Sequence, residues 1–179
     1  MAHALEIAQL GAPVIRKEAV KVTDIQNPEL QAFIDDLLVT VADEGGMGIA
    51  APQVSVSKRI IILSPKPNTR YPYAPLMEPT IMINPELTWA STEKEKDWEG
   101  CLTVPGIRGL VSRHQTIRIR YQDRNGLLLE TEYHGFLARV FQHEVDHLDG
   151  LVFLDRAEST KDLVTEKEWK RIMASHNQA

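Results

Sequence analysis

Cysteine is nearly absent. Cys101 is the only one in 179 residues, which excludes an internal disulfide and makes a reducing compartment the simplest setting. Long apolar runs are missing too: none approaches the roughly 20 residues that a bilayer-spanning helix needs. The opening stretch, MAHALEIAQLGAPVIRK, has no charged leader followed by an apolar run and does not read as a targeting segment. These absences predict a cytoplasmic protein, or an organellar one if the source is a eukaryote. Basic runs are also lacking, and the formal net charge is -5. General nucleic-acid binding, which needs clustered Lys and Arg against phosphates, is therefore excluded. There is no internal repeat and no low-complexity tract. What remains, with 43% hydrophobic residues, fits one soluble globular domain over residues 1–179 with a substantial core.

Some local signals are sharp. Asn27 and Pro28 open a helix, the first as a side-chain cap and the second as a residue that needs no amide hydrogen. Leu30, Phe33, Ile34, Leu37, Leu38 and Val41 then recur at helical spacing until Gly45 and Gly46, which predicts a helix over 28–44 with one buried face. RIIIL (59–63) and TIMIN (80–84) read as strands. They are separated by a segment, 64–79, that holds five of the ten prolines and is expected to be an irregular surface loop. QTIRIRY (115–121) and LLLETEY (127–133) alternate and flank Asn125 and Gly126, which predicts an antiparallel hairpin with a tight turn and positive φ at both central residues. After Gly135 the stretch FLARVFQHEVDHLDG returns to the helical period and stops at Gly150.

That last helix contains HEVDH, residues 143–147. Residues four apart lie about 40° apart around a helix axis and one turn apart along it, so His143 and His147 can reach one metal ion. Glu144 lies on the same side, near enough to take a proton from a water held there without being a ligand. A catalytic metal needs a third protein ligand. Downstream candidates are Glu158, Glu166 and Glu168, as in a metallopeptidase; the upstream one is Cys101 in DWEGCLTVPG, where Gly100 permits close backbone packing and a thiolate suits iron or zinc. A third stretch, GGMGIAAPQV (45–54), removes side chains at Gly46, Gly48, Ala50 and Ala51 and supplies the uncharged amide of Gln53.

In order and interval, Gly46 to Gln53, Glu99 to Thr103 and His143 to His147 resemble the three motifs of the peptide deformylases, and the resemblance runs from about Gln9 to Leu154. One position departs: Thr103 stands where serine is usual, with the hydroxyl kept. The resemblance implies removal of the formyl group from the N-terminal methionine of new polypeptides, with release of formate. Carried over by matching positions, Cys101, His143 and His147 would hold the metal, natively Fe2+, with Zn2+, Ni2+ or Co2+ as possible substitutes. Ligand chemistry alone does not choose iron. Glu144 would be the general base, and the Gln53 amide with the backbone amide of Leu102 would stabilise the oxyanion.

The N-formyl-methionyl peptide would lie extended beside Gly46, Gly48 and Ile49. Helical spacing puts Phe136 and Val140 on the His143 side, where they could line the methionine pocket. Arg139, one turn before His143, stands where similar enzymes usually carry an apolar residue. It either narrows and polarises the pocket or packs its stem and turns its guanidinium to solvent or a carboxylate. Among Glu99, Asp146, Arg108 and Arg113 at least one buried ion pair is expected, because metal-site histidines usually donate to a carboxylate or carbonyl. Residues 159–175 read as a C-terminal helix with Thr165 and Glu168 as its capping box. From Arg156 onward the tail has five Lys or Arg against four Asp or Glu, so at most weak ribosome association is expected. The predicted fold is α+β, with mainly antiparallel strands around a central helix carrying the HExxH motif. Two other readings stay open: a metallopeptidase with a downstream Glu as third ligand, and a non-catalytic formyl-peptide or metal-binding module.

Overall fold

The Asn27 side chain accepts hydrogen bonds from the backbone amides of Glu29 (2.9 Å) and Leu30 (3.3 Å), Pro28 fills the first turn, and helix α1 runs Pro28–Asp43. It ends at Gly45, whose φ of +60° lets the chain turn out of the helix while Gly46 donates back to the Val41 carbonyl at 3.1 Å. Leu30, Ile34, Leu37 and Val41 are buried against Ile49, Ile60 and Ile62. Each such side chain stabilises the fold by about 1.5–3 kcal/mol relative to exposure. The computed structural model describes residues 2–176, so residue 1 and residues 177–179 of the predicted 1–179 domain lie outside it.

Two antiparallel sheets hold the chain together. The larger has β1 (Gly48–Ala50), β2 (Ile60–Leu63), β3 (Thr80–Ala90), β6 (Thr116–Gln122) and β7 (Leu128–His134) in the order β1-β2-β3-β6-β7. The smaller has β4 (Lys94–Cys101), β5 (Val104–His114) and β8 (Leu163–Thr165) in the order β4-β5-β8. Helix α2 (Gly135–Leu148) packs on strands of both. Its Ala138, Val140, Phe141 and Leu148 are buried with Ala50, Ile61, Leu63, Met82, Ile117 and Ile119. The fold is thus α+β around the helix that carries residues 143–147.

In the 45–54 segment β1 is followed by a 3-10 turn, Ala51–Val54. Two local expectations need correction. The hairpin connection between β6 and β7 is longer than a two-residue turn. Gln122 pairs with Leu128, only Gly126 of the central pair has positive φ (+87°), and the Asp123 carboxylate accepts from the amides of Asn125 and Leu127 (2.8 and 2.9 Å). That carboxylate satisfies the turn amides without Asn125 entering the left-handed region. The predicted 159–175 helix is shorter: α3 covers Glu166–His176, with Thr165 Oγ1 accepting from the Glu168 amide at 3.4 Å. Residues 163–165 are drawn instead onto the free edge of β5, pairing Ile107 with Thr165, Arg108 with Val164 and Gly109 with Leu163. Gly109 makes this possible, since a Cβ there would come within 2.9–3.0 Å of Phe153 and Leu163.

Candidate active site

Successive turns of α2 present His143 and His147 with ring centroids 5.2 Å apart. The end of β4 brings Cys101 up to them, its Sγ 3.2 Å from His147 Nε2. The ligand-capable atoms of Cys101, His143 and His147 all lie within 4.8 Å of one another. The rival third ligands are occupied elsewhere: Glu158 pairs with Lys96 (3.6 Å), Glu166 with Arg108 (3.5 Å) and Glu168 with Arg171 (2.6 Å). Burial alone would raise the Cys101 thiol, but the two histidines beside it hold it well below the ordinary thiol range. A thiolate and two imidazoles fit a soft or borderline divalent ion.

His143 Nδ1 lies 2.9 Å from Glu99 Oε2. Burial would push the Glu99 carboxyl up, but the His143 hydrogen bond and the Arg113 guanidinium hold it well below the usual carboxylate range. As an ionised acceptor it requires the hydrogen on Nδ1 and frees Nε2 for a metal. Glu99 also accepts from Arg113 Nε (2.9 Å), Arg113 Nη2 (3.0 Å) and Arg139 Nη1 (2.9 Å). Arg113 Nη1 donates to Asp146 at 2.6 Å, and Arg156 closes the cluster on Asp146, also at 2.6 Å. The expected buried ion pair is therefore a network. Arg139 is neither solvent-directed nor free: its guanidinium also donates to the carbonyls of Val111 (2.8 Å) and Glu95 (2.7 Å).

Glu144 is buried, with Oε2 lacking any partner among the described residues. Gly48 makes room for it: a Cβ at that position would lie 2.7 Å from Glu144 Oε1. Burial pushes its carboxyl up to about 7, against the opposing pull of His143 and His147. The Gln53 side chain is fixed at both ends. Its Oε1 accepts from the Ala50 amide (2.8 Å), and its Nε2 donates to Thr103 Oγ1 (3.2 Å) and toward Cys101 Sγ (3.4 Å). The hydroxyl kept at Thr103 is the atom used there.

A cavity of about 340 Å³ opens over these groups, bounded by Gly46, Gly48, Gln53, Cys101, Leu102, Phe136, Arg139, Val140, His143 and Glu144. Leu102 sits in the turn between β4 and β5. Ile49 is different: its side chain is fully buried on the α1 side of the sheet, so only its backbone, on the edge strand β1, can meet a peptide. Met47, Trp98, Arg70 and Tyr71 also line the cavity and were not among the sequence candidates; Arg108, expected only as a member of a buried ion pair, lines it too. Tyr71 and Arg70 come from the Pro-rich segment, which has no periodicity to announce them.

The family model described as polypeptide deformylase matches residues 4–163. The chain belongs to the polypeptide deformylase family. Peptide deformylase 2 of Nostoc sp. is 51% identical over 172 residues, covering 96% of each chain. A Met-Ala-Ser-bound crystal structure of a class I type b peptide deformylase from Acinetobacter baumannii superposes with a TM-score of 0.85. It is 40% identical and the match covers 87% of this chain and 99% of that one. The peptide deformylase from Thermotoga maritima gives a TM-score of 0.78 at 36% identity, over 88% and 99% of the two chains. The family's reaction is metal-dependent removal of the formyl group from an N-terminal methionine, and this deformylase is an enzyme of that kind. No described helix is long and apolar enough to cross a membrane.

Proposed function

We propose that this deformylase holds Fe2+ between Cys101, His143 and His147, carries the proton on Glu144 and stabilises the oxyanion with Gln53 and the Leu102 amide. The observation that carries the assignment is the convergence of the three donor atoms within 4.8 Å, with Glu144 and Gln53 beside them on one cavity. When bound, the ion supplies Lewis acidity that makes water deprotonate near neutral pH. Glu144 takes that proton; the oxygen so activated adds to the formyl carbon, the C–N bond breaks, and Glu144 returns the proton to the methionine nitrogen. Formate and a free amine leave. A carboxyl held near 7 by burial can both accept and return a proton at neutral pH. The peptide adds along the open edge of β1, where Gly46, Gly48 and the Ile49 backbone leave space, and its methionine side chain enters between Phe136 and Val140. Arg139, tied to Glu99 and two carbonyls, forms the floor of that pocket. Residues 1–179 act as one catalytic domain, in the cytoplasm or, in a eukaryote, in an organelle, a reading supported by the packing of α2 on both sheets and by a single cysteine without a disulfide partner.

The test is formate release from formyl-Met-Ala-Ser by Fe2+-loaded protein prepared without oxygen. No formate from protein with stoichiometric metal sinks the proposal. Gln53→Ala is expected to lower kcat by about 10²- to 10³-fold, the usual loss for one oxyanion donor. Turnover within threefold of wild type would remove Gln53 from the mechanism.

Ribosome docking through the tail is expected to be weak. In α3, Lys170 lies 3.7 Å from Glu166 and Arg171 lies 2.6 Å from Glu168, so part of the small positive excess is neutralised locally and counterion release is small. Co-sedimentation with ribosomes at physiological salt should be marginal. Strong pelleting that disappears on deleting 159–179 would overturn this.

A further inference from the structure

Several features of the tail bear on the groove rather than on the outside of the molecule. The pairing of β8 with β5 sets Glu166 at the cavity edge and α3 beside Arg108. Trp169 is 6% exposed and Arg108 only 5%; the Arg108 guanidinium carbon stands 4.7 Å from the Trp169 ring centroid. The indole Nε1 has no hydrogen-bond partner among the described residues, so the ring is held by its face against the cation. On its other side the same guanidinium donates to the Tyr71 hydroxyl at 3.1 Å. Gly100, next to Cys101, admits it: a Cβ at Gly100 would overlap the Arg108 guanidinium. Tyr71 in turn packs on Phe136, with ring centroids 5.5 Å apart, and both line the cavity.

We propose that α3 is a working part of the substrate groove: Trp169 positions Arg108, and Arg108 holds Tyr71 and its irregular segment as the groove's outer wall against the bound peptide. The idea rests on the groove assignment given above. Tyr71 comes from a segment without regular structure between residues 64 and 79, whose backbone is held largely by its own turns: Asn68 accepts from the amides of Arg70 and Tyr71, both at 2.8 Å. Arg70 reaches the Gly45 carbonyl at 3.4 Å, and Arg108 supplies the bond to the Tyr71 hydroxyl. Arg108 is itself buried and under-bonded, its Nε without a partner among the described residues and its contact to Glu166 long at 3.5 Å. The Trp169 face is therefore a main support of the guanidinium. None of these residues touches the reacting atoms, so they act on binding and not on the chemical step.

The experiment measures kcat and KM for formyl-Met-Ala-Ser with metal-loaded wild type, Trp169→Ala, Trp169→Phe, Tyr71→Phe and the Trp169→Ala/Tyr71→Phe double variant. Trp169→Ala is expected to raise KM about tenfold, with kcat within about twofold, and Trp169→Phe, which keeps a π face, to restore KM to within about twofold. Tyr71→Phe should raise KM by a similar factor, and the double variant should cost little more than either single one, since both act through Arg108. A folded Trp169→Ala protein with wild-type KM overturns the proposal, as does a double variant whose KM is the product of the single effects. Should Trp169→Ala not fold, Tyr71→Phe and Glu166→Gln decide, because both touch Arg108 without opening a cavity; unchanged KM in the two of them overturns it. Wild-type turnover in the same assay reports separately on the groove assignment.

Discussion

Glu144→Gln is expected to abolish most turnover, lowering kcat by about 10²- to 10⁴-fold, the range contributed by a positioned general acid–base group. The substitution keeps the shape of the side chain and its place against Gly48 but removes the site that accepts and returns the proton. Glu144 Oε2 has no protein partner to lose among the described residues, so the amide should be accommodated with little change in fold. The three donors on Cys101, His143 and His147 are untouched, so metal content should stay stoichiometric. Formate release and metal analysis on the same preparation check this together. A loss of less than about tenfold would take the proton-carrying role away from Glu144. A large loss accompanied by loss of metal would mean that Glu144 supports the cradle.

The second large effect is on stability. Arg113 is the only cation that bridges Glu99 and Asp146 among the described residues, and all three are buried. Replacing it with an apolar side chain leaves two buried carboxylates under-compensated, which usually costs about 3–5 kcal/mol. Glu99 keeps Arg139 and His143, and Asp146 keeps Arg156, which places Arg113→Met toward the lower end of that range. At about 2–4 °C per kcal/mol for a chain of this size, the midpoint of thermal unfolding should fall by about 10 °C. A fall of under about 3 °C would show that the network is held by its neighbours rather than by Arg113.

The parts of this molecule that follow a repeat were legible in its sequence. Helix α1 announced itself through Asn27, Pro28 and an apolar stripe, α2 through a helical period between Gly135 and Gly150, and β6 and β7 through alternation. Strands β4 and β5 gave no such signal, for a reason that lies in the chemistry. In β4 the one buried residue is Glu99, and in β5 Arg108 and Arg113 occupy buried positions. Where the core face of a strand is built from ion pairs, a search for apolar alternation passes over it. The three motifs marked the residues that the fold brings together at one cavity, Cys101, His143 and His147 with Glu144 and Gln53 beside them, since such residues need particular neighbours close in sequence. Tyr71 reaches the cavity, and Trp169 reaches Arg108 at its edge, from segments far from the motifs, and only the folded chain shows that Arg108 joins them.

The pairing of β8 with β5 has a consequence in time. A chain made from its N-terminus tends to fold as its parts emerge, and the three proposed metal donors, Glu144 and Gln53 all lie before residue 148. The strand at 163–165 and the indole at 169 come afterwards and dock on β5 only once that later stretch is made. The cradle can therefore assemble while the groove wall is still unmade. On the assignments proposed above, an enzyme that acts on N-terminal formyl groups would, as a newly made chain itself, complete its metal cradle before its peptide groove.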